Sequence, residues 1–101
     1  MIAFPPGYFD TQRRAGFVDT NQVTVGTTPV RVLFLNPSRI GGSIKNLGTG
    51  TVYLGGTSGV TALTGHALAG GDTISVGSNC EVWALSATLT NVVTTFEEVV
   101  H

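Results

Sequence analysis

The sequence predicts an all-β fold, a jelly-roll-like β-sandwich that carries an extended N-terminal arm. Short segments rich in Val, Ile, Thr and aromatic residues recur along the chain, and Gly, Pro and Asn stand between them at turn positions. No segment has the length and apolar periodicity of an amphipathic helix. The chain of 101 residues is the size of one domain, and we assign residues 1–20 to the arm and residues 21–101 to the sandwich.

The arm is set apart by its composition. Residues 4–9 hold aromatic side chains without strand alternation, and the two prolines among them exclude both a helix interior and a central strand. Because aromatic side chains favour burial, the arm either covers one end of its own sandwich or docks on a neighbouring subunit. The adjacent pair of arginines suits ion pairs or hydrogen bonds with another chain, and is otherwise solvated. The predicted partner-binding residues of the arm are Phe4, Pro5, Tyr8, Phe9, Arg13 and Arg14.

The strand predictions follow the apolar runs in chain order. The run at 30–35 is too continuous for a half-solvated strand, so we expect it to be covered on both faces. Alternation in the segment 73–76 places Ile74 and Val76 on one face of a sheet. The predicted strands lie at residues 23–25, 30–35, 43–47, 51–54, 73–76, 81–85 and 92–100.

A hairpin is predicted where two of these strands are joined by a short Gly/Thr turn. Gly48 and Gly50 can take the positive φ that a tight turn requires. The Gly-, Thr- and Ala-rich stretch 55–71 is predicted to be a connection with three apolar anchors, Val60, Leu63 and Leu68. A change of register by one residue would reverse the faces of any strand. The predicted core residues are Val32, Phe34, Ile44, Leu54, Ile74, Val82, Leu85 and Phe96.

Composition excludes several classes of function. Charged residues make up 11% of the chain, against about 25% in a typical soluble domain, which suggests that neighbouring subunits cover much of the surface. Five Lys and Arg residues do not provide the basic patch that binds nucleic acid. The sequence contains neither an apolar run long enough to span a membrane nor a secretion signal. We therefore expect a soluble protein that is made in a cytoplasm and kept there until it is assembled.

No constellation of residues predicts catalysis, a metal site or a cofactor. His66 is assigned to a polar loop, and the lone Cys80 can form no intrachain disulfide. Glu97 and Glu98 are adjacent and point to opposite faces of a strand, where we expect them to keep a last, edge-placed strand soluble. Trp83 is predicted to be a partner-binding residue. We favour a core or subunit contact for its indole over stacking on a sugar.

Five short motifs together carry a resemblance to a known group of proteins. They are NLGTGTVYLGG at residues 46–56, GVT at 59–61, TGHAL at 64–68, GDTIS at 71–75 and EVWA at 81–84. The stretch that contains them resembles small virion accessory proteins of tailed bacteriophages. This resemblance covers just over half of the chain and does not include the arm.

The resemblance implies a capsid cement or decoration protein that binds the outer surface of the phage head. It also implies a homotrimer whose partner is the major capsid protein, and a location in the virion at the capsid surface. By binding only the mature lattice, such a protein would stabilise that lattice by mass action. The alternative is a receptor- or glycan-binding module of a tail or fibre, which Trp83, Tyr53 and the polar loops suggest.

Overall fold

Eight β-strands and no helix are found in residues 16–77, 79–88 and 90–100, the parts of the chain that the computed structural model describes. A helix long and apolar enough to cross a membrane is therefore absent from these residues. The strands are β1 (Phe17–Val25), β2 (Val30–Leu33), β3 (Arg39–Asn46), β4 (Val52–Gly55), β5 (His66–Leu68), β6 (Thr73–Ser75), β7 (Val82–Ser86) and β8 (Asn91–Val99).

The strands form two four-stranded antiparallel sheets. The first sheet has the order β1-β8-β3-β6 and the second has the order β2-β7-β4-β5. Apart from the β4–β5 hairpin, every connection carries the chain from one sheet to the other, as in an eight-stranded jelly roll. The prediction of an all-β sandwich is confirmed.

The predicted hairpin between residues 43–47 and 51–54 is wrong, because β3 and β4 belong to different sheets. Gly48 and Gly50 do not have positive φ, which among the described glycines only Gly71 shows. The glycines are needed for space, since a Cβ at Gly48 would collide with the amide of Asn91. Asn91 Oδ1 accepts a hydrogen bond from Gly50 N at 3.0 Å and so holds the turn between the sheets.

The core lies between the sheets and is made of small and medium aliphatic side chains. Among the predicted core residues, Val32, Ile44 and Leu54 are buried, while Ile74 and Val82 are partly buried against the core. The full set of buried core residues in the cluster is Val25, Val32, Leu33, Ile44, Val52, Leu54, Leu68, Ala84 and Val93.

Three core predictions are wrong, two of them through the register of a strand. Phe96 is 42% exposed, because Thr95 on β8 faces the core. Leu85 is half-buried, because Ala84 takes the inward position on β7. Phe34 is 60% exposed, and β2 ends one residue before it. The expectation that residues 30–35 are covered on both faces is therefore wrong for this side chain.

The first strand reaches into the range predicted as the arm. β1 pairs with β8 along nine residues, from Phe17 opposite Val99 to Val25 opposite Asn91. Backbone pairing of this length does not require alternating side chains, which is why the sequence pattern does not reveal residues 17–20 as strand. The predicted arm contacts at Phe4, Pro5, Tyr8, Phe9, Arg13 and Arg14 lie outside the described residues.

The long connection contains a strand of its own. His66 begins β5, which pairs with β4, so the loop assignment of this residue is wrong. Val60 and Leu68 are buried as anchors, but Leu63 is 96% exposed. β8 lies between β1 and β3, so the edge placement expected for its two glutamates is also wrong. The side chains of Glu97 and Glu98 do point to opposite faces of the sheet, and Glu97, the inward one, forms an ion pair with Arg39.

Candidate ligand-binding surface

The outer face of the second sheet carries a group of aromatic, apolar and charged side chains. Arg31 on β2 lies opposite Trp83 on β7, and Tyr53 on β4 lies opposite Leu85. These positions alternate with core residues along their strands, so their side chains point away from the core. We call this group, with its neighbours Phe34 and Glu81, the Trp83 surface.

Glu81 fixes the orientation of the indole ring. Its Oε1 accepts a hydrogen bond from Trp83 Nε1 at 3.0 Å and one from Arg31 Nη1 at 3.2 Å. Glu81 and Trp83 are two residues apart, which places both side chains on the same side of the strand. One carboxylate oxygen therefore holds both the indole and the guanidinium.

The guanidinium of Arg31 lies between two aromatic rings. Its central carbon is 4.1 Å from the centre of the Phe34 ring and 5.6 Å from the Trp83 ring. Both distances are within the range of cation–π contacts, which Arg and Trp make most favourably. Arg31 Nε is buried and has no hydrogen-bond partner among the described residues. The arginine thus links Phe34 to Trp83 mainly through its charge and its flat shape.

A second arginine, Arg39, holds the two loops that carry Phe34 and Glu81. Its side chain is fully buried and, among the described residues, donates to three acceptors: Glu97 Oε2 at 2.6 Å from Nε, the Cys80 carbonyl at 2.9 Å from Nη1, and the Phe34 carbonyl. The same two loops are joined by a backbone hydrogen bond from Asn36 N to Asn79 O at 3.0 Å. Arg39 and Glu97 of the first sheet therefore position the loops at the edge of the Trp83 surface.

Beside Trp83, the neighbouring position on β4 is Gly55, which has no side chain. Val60 from the β4–β5 connection occupies the space above this glycine, because a Cβ there would be 2.7 Å from Val60 Cγ2. Val60 is buried although it lies outside the core cluster. The connection thus closes the surface on the β4 side.

Two residues of this surface are predicted from the sequence, Trp83 as a partner-binding residue and Tyr53 in the receptor- or glycan-binding alternative. The structure places both on an outer face, half-buried by their neighbours. The sequence pattern does not reveal Arg31, Phe34, Glu81 or Arg39 as residues of this site. The two-residue spacing of Glu81 and Trp83 is a signal that could have linked them. The other predicted site residues belong to the arm, outside the described residues, so the structure brings none of them to this surface.

The described residues offer no cluster of three or more His, Cys, Asp or Glu side chains that could hold a metal ion. What the Trp83 surface provides is flat aromatic area next to a carboxylate and a guanidinium. Such a surface can stack against an apolar ring face and form hydrogen bonds to polar groups at the ring's edge.

Fold and surface together define an all-β jelly-roll module with an aromatic face. A search of protein-family models and a search of curated proteins found no match. Among solved structures, the chain is similar to the stem and receptor-binding domain of the spike protein P1 from bacteriophage PM2, with 20% identity and a TM-score of 0.59. The match covers 72% of this chain but only 30% of the PM2 chain, so the likeness concerns the fold of one part of that spike.

A second similar structure is a pilus protein of the Bacillus endospore appendages, which form disulfide-linked pili. The identity is 17% over 88% of this chain and 94% of that chain, with a TM-score of 0.45. That score is too low to establish a shared fold.

Proposed function

We propose that this protein is a bacteriophage virion component that binds a host-surface glycan through the Trp83 surface. The observation that carries the proposal is the indole of Trp83, held by Glu81 and flanked by Arg31 on an outer sheet face. The resemblance of residues 44–99 to phage virion proteins supports the virion location. The fold likeness to part of a phage spike favours a receptor-binding module over a cement protein.

A glycan fits the chemistry of this surface. A sugar ring has an apolar face that can lie on the indole, and hydroxyl groups at its rim that can bind the charged side chains. Because Glu81 already orients the indole, little side-chain entropy is lost when a ligand binds. The guanidinium edge of Arg31, which is 40% exposed at the side chain, favours glycans with acidic or phosphorylated groups.

The test uses the intrinsic fluorescence of Trp83, the single tryptophan of the chain. The protein is titrated with purified bacterial lipopolysaccharides and capsular polysaccharides, and saturable quenching or a spectral shift is the expected result. Binding to a positive polysaccharide is then measured by calorimetry for Trp83→Ala and for the control Phe96→Ala, an exposed aromatic on the other sheet. Loss of binding in both variants, or in neither, would contradict a site at Trp83.

The second candidate is a capsid cement or decoration protein, a homotrimer bound to the major capsid protein on the head. The observation that favours it is the exposed apolar side chains of Phe34, Leu35 and Ile40, which are 60%, 65% and 62% exposed. Cosedimentation with particles that lack the protein, with heads and tails scored separately by electron microscopy, distinguishes the two. Saturation of heads supports the cement function, whereas label on tails or fibres supports the receptor-binding module.

A further inference from the structure

An apolar cleft adjoins the Trp83 surface. It lies between the two sheets, at the end of the sandwich where β4 ends and β7 begins, and its volume is about 310 Å³. Glu81 lines the cleft and also holds the indole of Trp83, so this residue is the boundary that the cleft and the Trp83 surface share. The apolar side chains of the lining are Ile44, Leu54, Ile74, Val76 and Val82.

The size and lining of the cleft suit an aliphatic group of a ligand. An apolar cavity of about 150 Å³ binds benzene, whereas pockets for whole small molecules have volumes of about 300–1,000 Å³. This cleft is at the lower end of that range. Ile74, Val76 and Val82 pack against the core but are only partly buried, so they still have apolar area to lose to a ligand. The cleft therefore fits a short aliphatic chain and not an oligosaccharide.

Glu81 has one carboxylate oxygen available to a ligand. Its Oε1 accepts the hydrogen bonds of both Trp83 Nε1 and Arg31 Nη1. Its Oε2 accepts no hydrogen bond from any described residue, and the side chain is 38% exposed. Because an ionised carboxylate only accepts hydrogen bonds, a ligand group that crosses this boundary should carry an N–H or O–H donor.

An N-acyl group on a sugar ring meets both requirements. Its amide N–H is a donor attached to the ring, and its acyl carbons follow directly, so one substituent can bind Glu81 and enter an apolar cleft. An acyl group in ester linkage lacks the donor. A hydroxyl group has the donor but no apolar part.

We infer that the Trp83 surface and this cleft together bind an N-acylated amino sugar. The sugar ring stacks on Trp83, the amide N–H donates to Glu81 Oε2, and the acyl chain lies against Val76 and Val82. This inference rests on the proposed binding of a glycan at Trp83 and adds the substituent that the glycan carries.

A series of sugars with acyl chains of increasing length tests the inference. The full chain is titrated with the methyl glycosides of N-acetyl-, N-butanoyl- and N-hexanoylglucosamine, and Trp83 fluorescence reports binding. Methyl glucoside, which has a hydroxyl in place of the acylamino group, is the matched control. We expect the affinity to rise by about fourfold for each added CH₂ that is buried, which corresponds to about 0.8 kcal/mol. Equal affinities from acetyl to hexanoyl overturn the inference.

Cys80 reports whether the acyl chain occupies the cleft, because it is the single cysteine of the chain, is exposed and lines the cleft. With the N-hexanoyl sugar at ten times its Kd, reaction of Cys80 with a thiol reagent should slow by about tenfold. Methyl glucoside at the same occupancy should leave the rate unchanged. A rate that the N-hexanoyl sugar does not alter contradicts the inference. Protection that appears without ligand and grows with protein concentration also contradicts it and assigns the cleft to a second copy.

Val76→Thr changes the cleft without changing the shape of the side chain. The added hydroxyl would be buried by the acyl chain, so the affinity for the N-hexanoyl sugar should fall by at least about fivefold, which corresponds to about 1 kcal/mol. Binding of methyl glucoside should stay as in the wild type. Val18→Thr, at an exposed position that does not line the cleft, is the matched control and should change neither affinity. Equal effects of the two substitutions would overturn the assignment of the acyl chain to the cleft.

Trp83→Ala separates this inference from the proposed function. Loss of polysaccharide binding in Trp83→Ala, together with equal affinities along the acyl series, leaves the glycan function in place and overturns the inference alone. Cys80 protection that is as strong in Trp83→Ala as in the wild type overturns a joint site, because the cleft then binds the chain without the indole. Joint binding requires that Trp83→Ala weakens the binding of every sugar in the series.

Discussion

Arg39 and Glu97 form a buried ion pair that joins two neighbouring strands, with 2.6 Å between Arg39 Nε and Glu97 Oε2. The side chain of Arg39 is 0% exposed and that of Glu97 is 12% exposed. Because the guanidinium also donates to the carbonyls of Phe34 and Cys80, one buried cation connects the first sheet to both loops beside the Trp83 surface. The pair therefore links the first sheet to the loops that shape the candidate site.

Neutralising Glu97 should strongly destabilise the fold. In Glu97→Gln the buried cation loses the negative charge of Glu97, and breaking a buried pair in this way costs about 3–5 kcal/mol. We expect the lower part of that range, because the two carbonyl acceptors remain. Urea unfolding measures the change, and Glu98→Gln is the matched control, since that exposed neighbour should shift the free energy of unfolding by no more than about 0.5 kcal/mol. Equal effects of the two substitutions would show that the pair is not stabilising.

Two loop glycines should respond differently to alanine. A Cβ at Gly70 would lie 2.5 Å from the Gly48 carbonyl oxygen, so backbone must move, whereas a Cβ at Gly56 has nothing within 4 Å. We expect Gly70→Ala to lower the free energy of unfolding by about 1–3 kcal/mol, as overpacking does. Gly56→Ala should change it by at most about 1 kcal/mol. Thermal unfolding of both variants checks the difference, and a neutral Gly70→Ala would mean that the close approach of the two loops is not required.

The fold class could be predicted from the sequence, but the pairing of the strands could not. Val32, Ile44 and Leu54 stand in β-branched or alternating runs, and their burial follows from that local pattern. The turn at Gly48 and Gly50 is also visible in the sequence, but a turn signal specifies a chain reversal and not the strand that will be the partner. Here the reversal leads to the other sheet, because Asn91, far along the chain, holds the turn.

The candidate site was predicted only in part for the same reason. Trp83 stands out by residue type, and Glu81 shares its face by local spacing. Arg31 is brought to them by the pairing of β2 with β7. Arg31 and Glu81, which share a hydrogen bond, are 50 positions apart in the sequence. Phe34 was assigned to the core because apolar character does not show where a strand ends.

Asn46 should be one of the most sensitive polar residues of the chain. It is 0% exposed, and its Nδ2 donates to the carbonyls of Gly50 at 2.8 Å and Leu68 at 2.9 Å. Its Oδ1 accepts from Gly48 N at 2.9 Å. In Asn46→Ala these groups lose their partner, and a buried unsatisfied group costs about 1–3 kcal/mol. In urea unfolding we expect the free energy of unfolding to fall by at least about 2 kcal/mol, the cost of leaving one such group unsatisfied. A variant as stable as the wild type would contradict the role assigned to this side chain.

Glu81→Gln should separate ligand binding from stability. The Arg31–Glu81 pair is 40% and 38% exposed at the side chains, and exposed pairs contribute only about 0–1 kcal/mol, so the free energy of unfolding should change little. The uncharged amide holds the guanidinium of Arg31 and the indole of Trp83 less strongly, because hydrogen bonds to a carboxylate are about twice as strong as neutral ones. We therefore expect an altered Trp83 emission spectrum and weaker glycan binding in a protein of nearly wild-type stability. A large loss of stability with unchanged binding would instead assign Glu81 to the fold and remove it from the site.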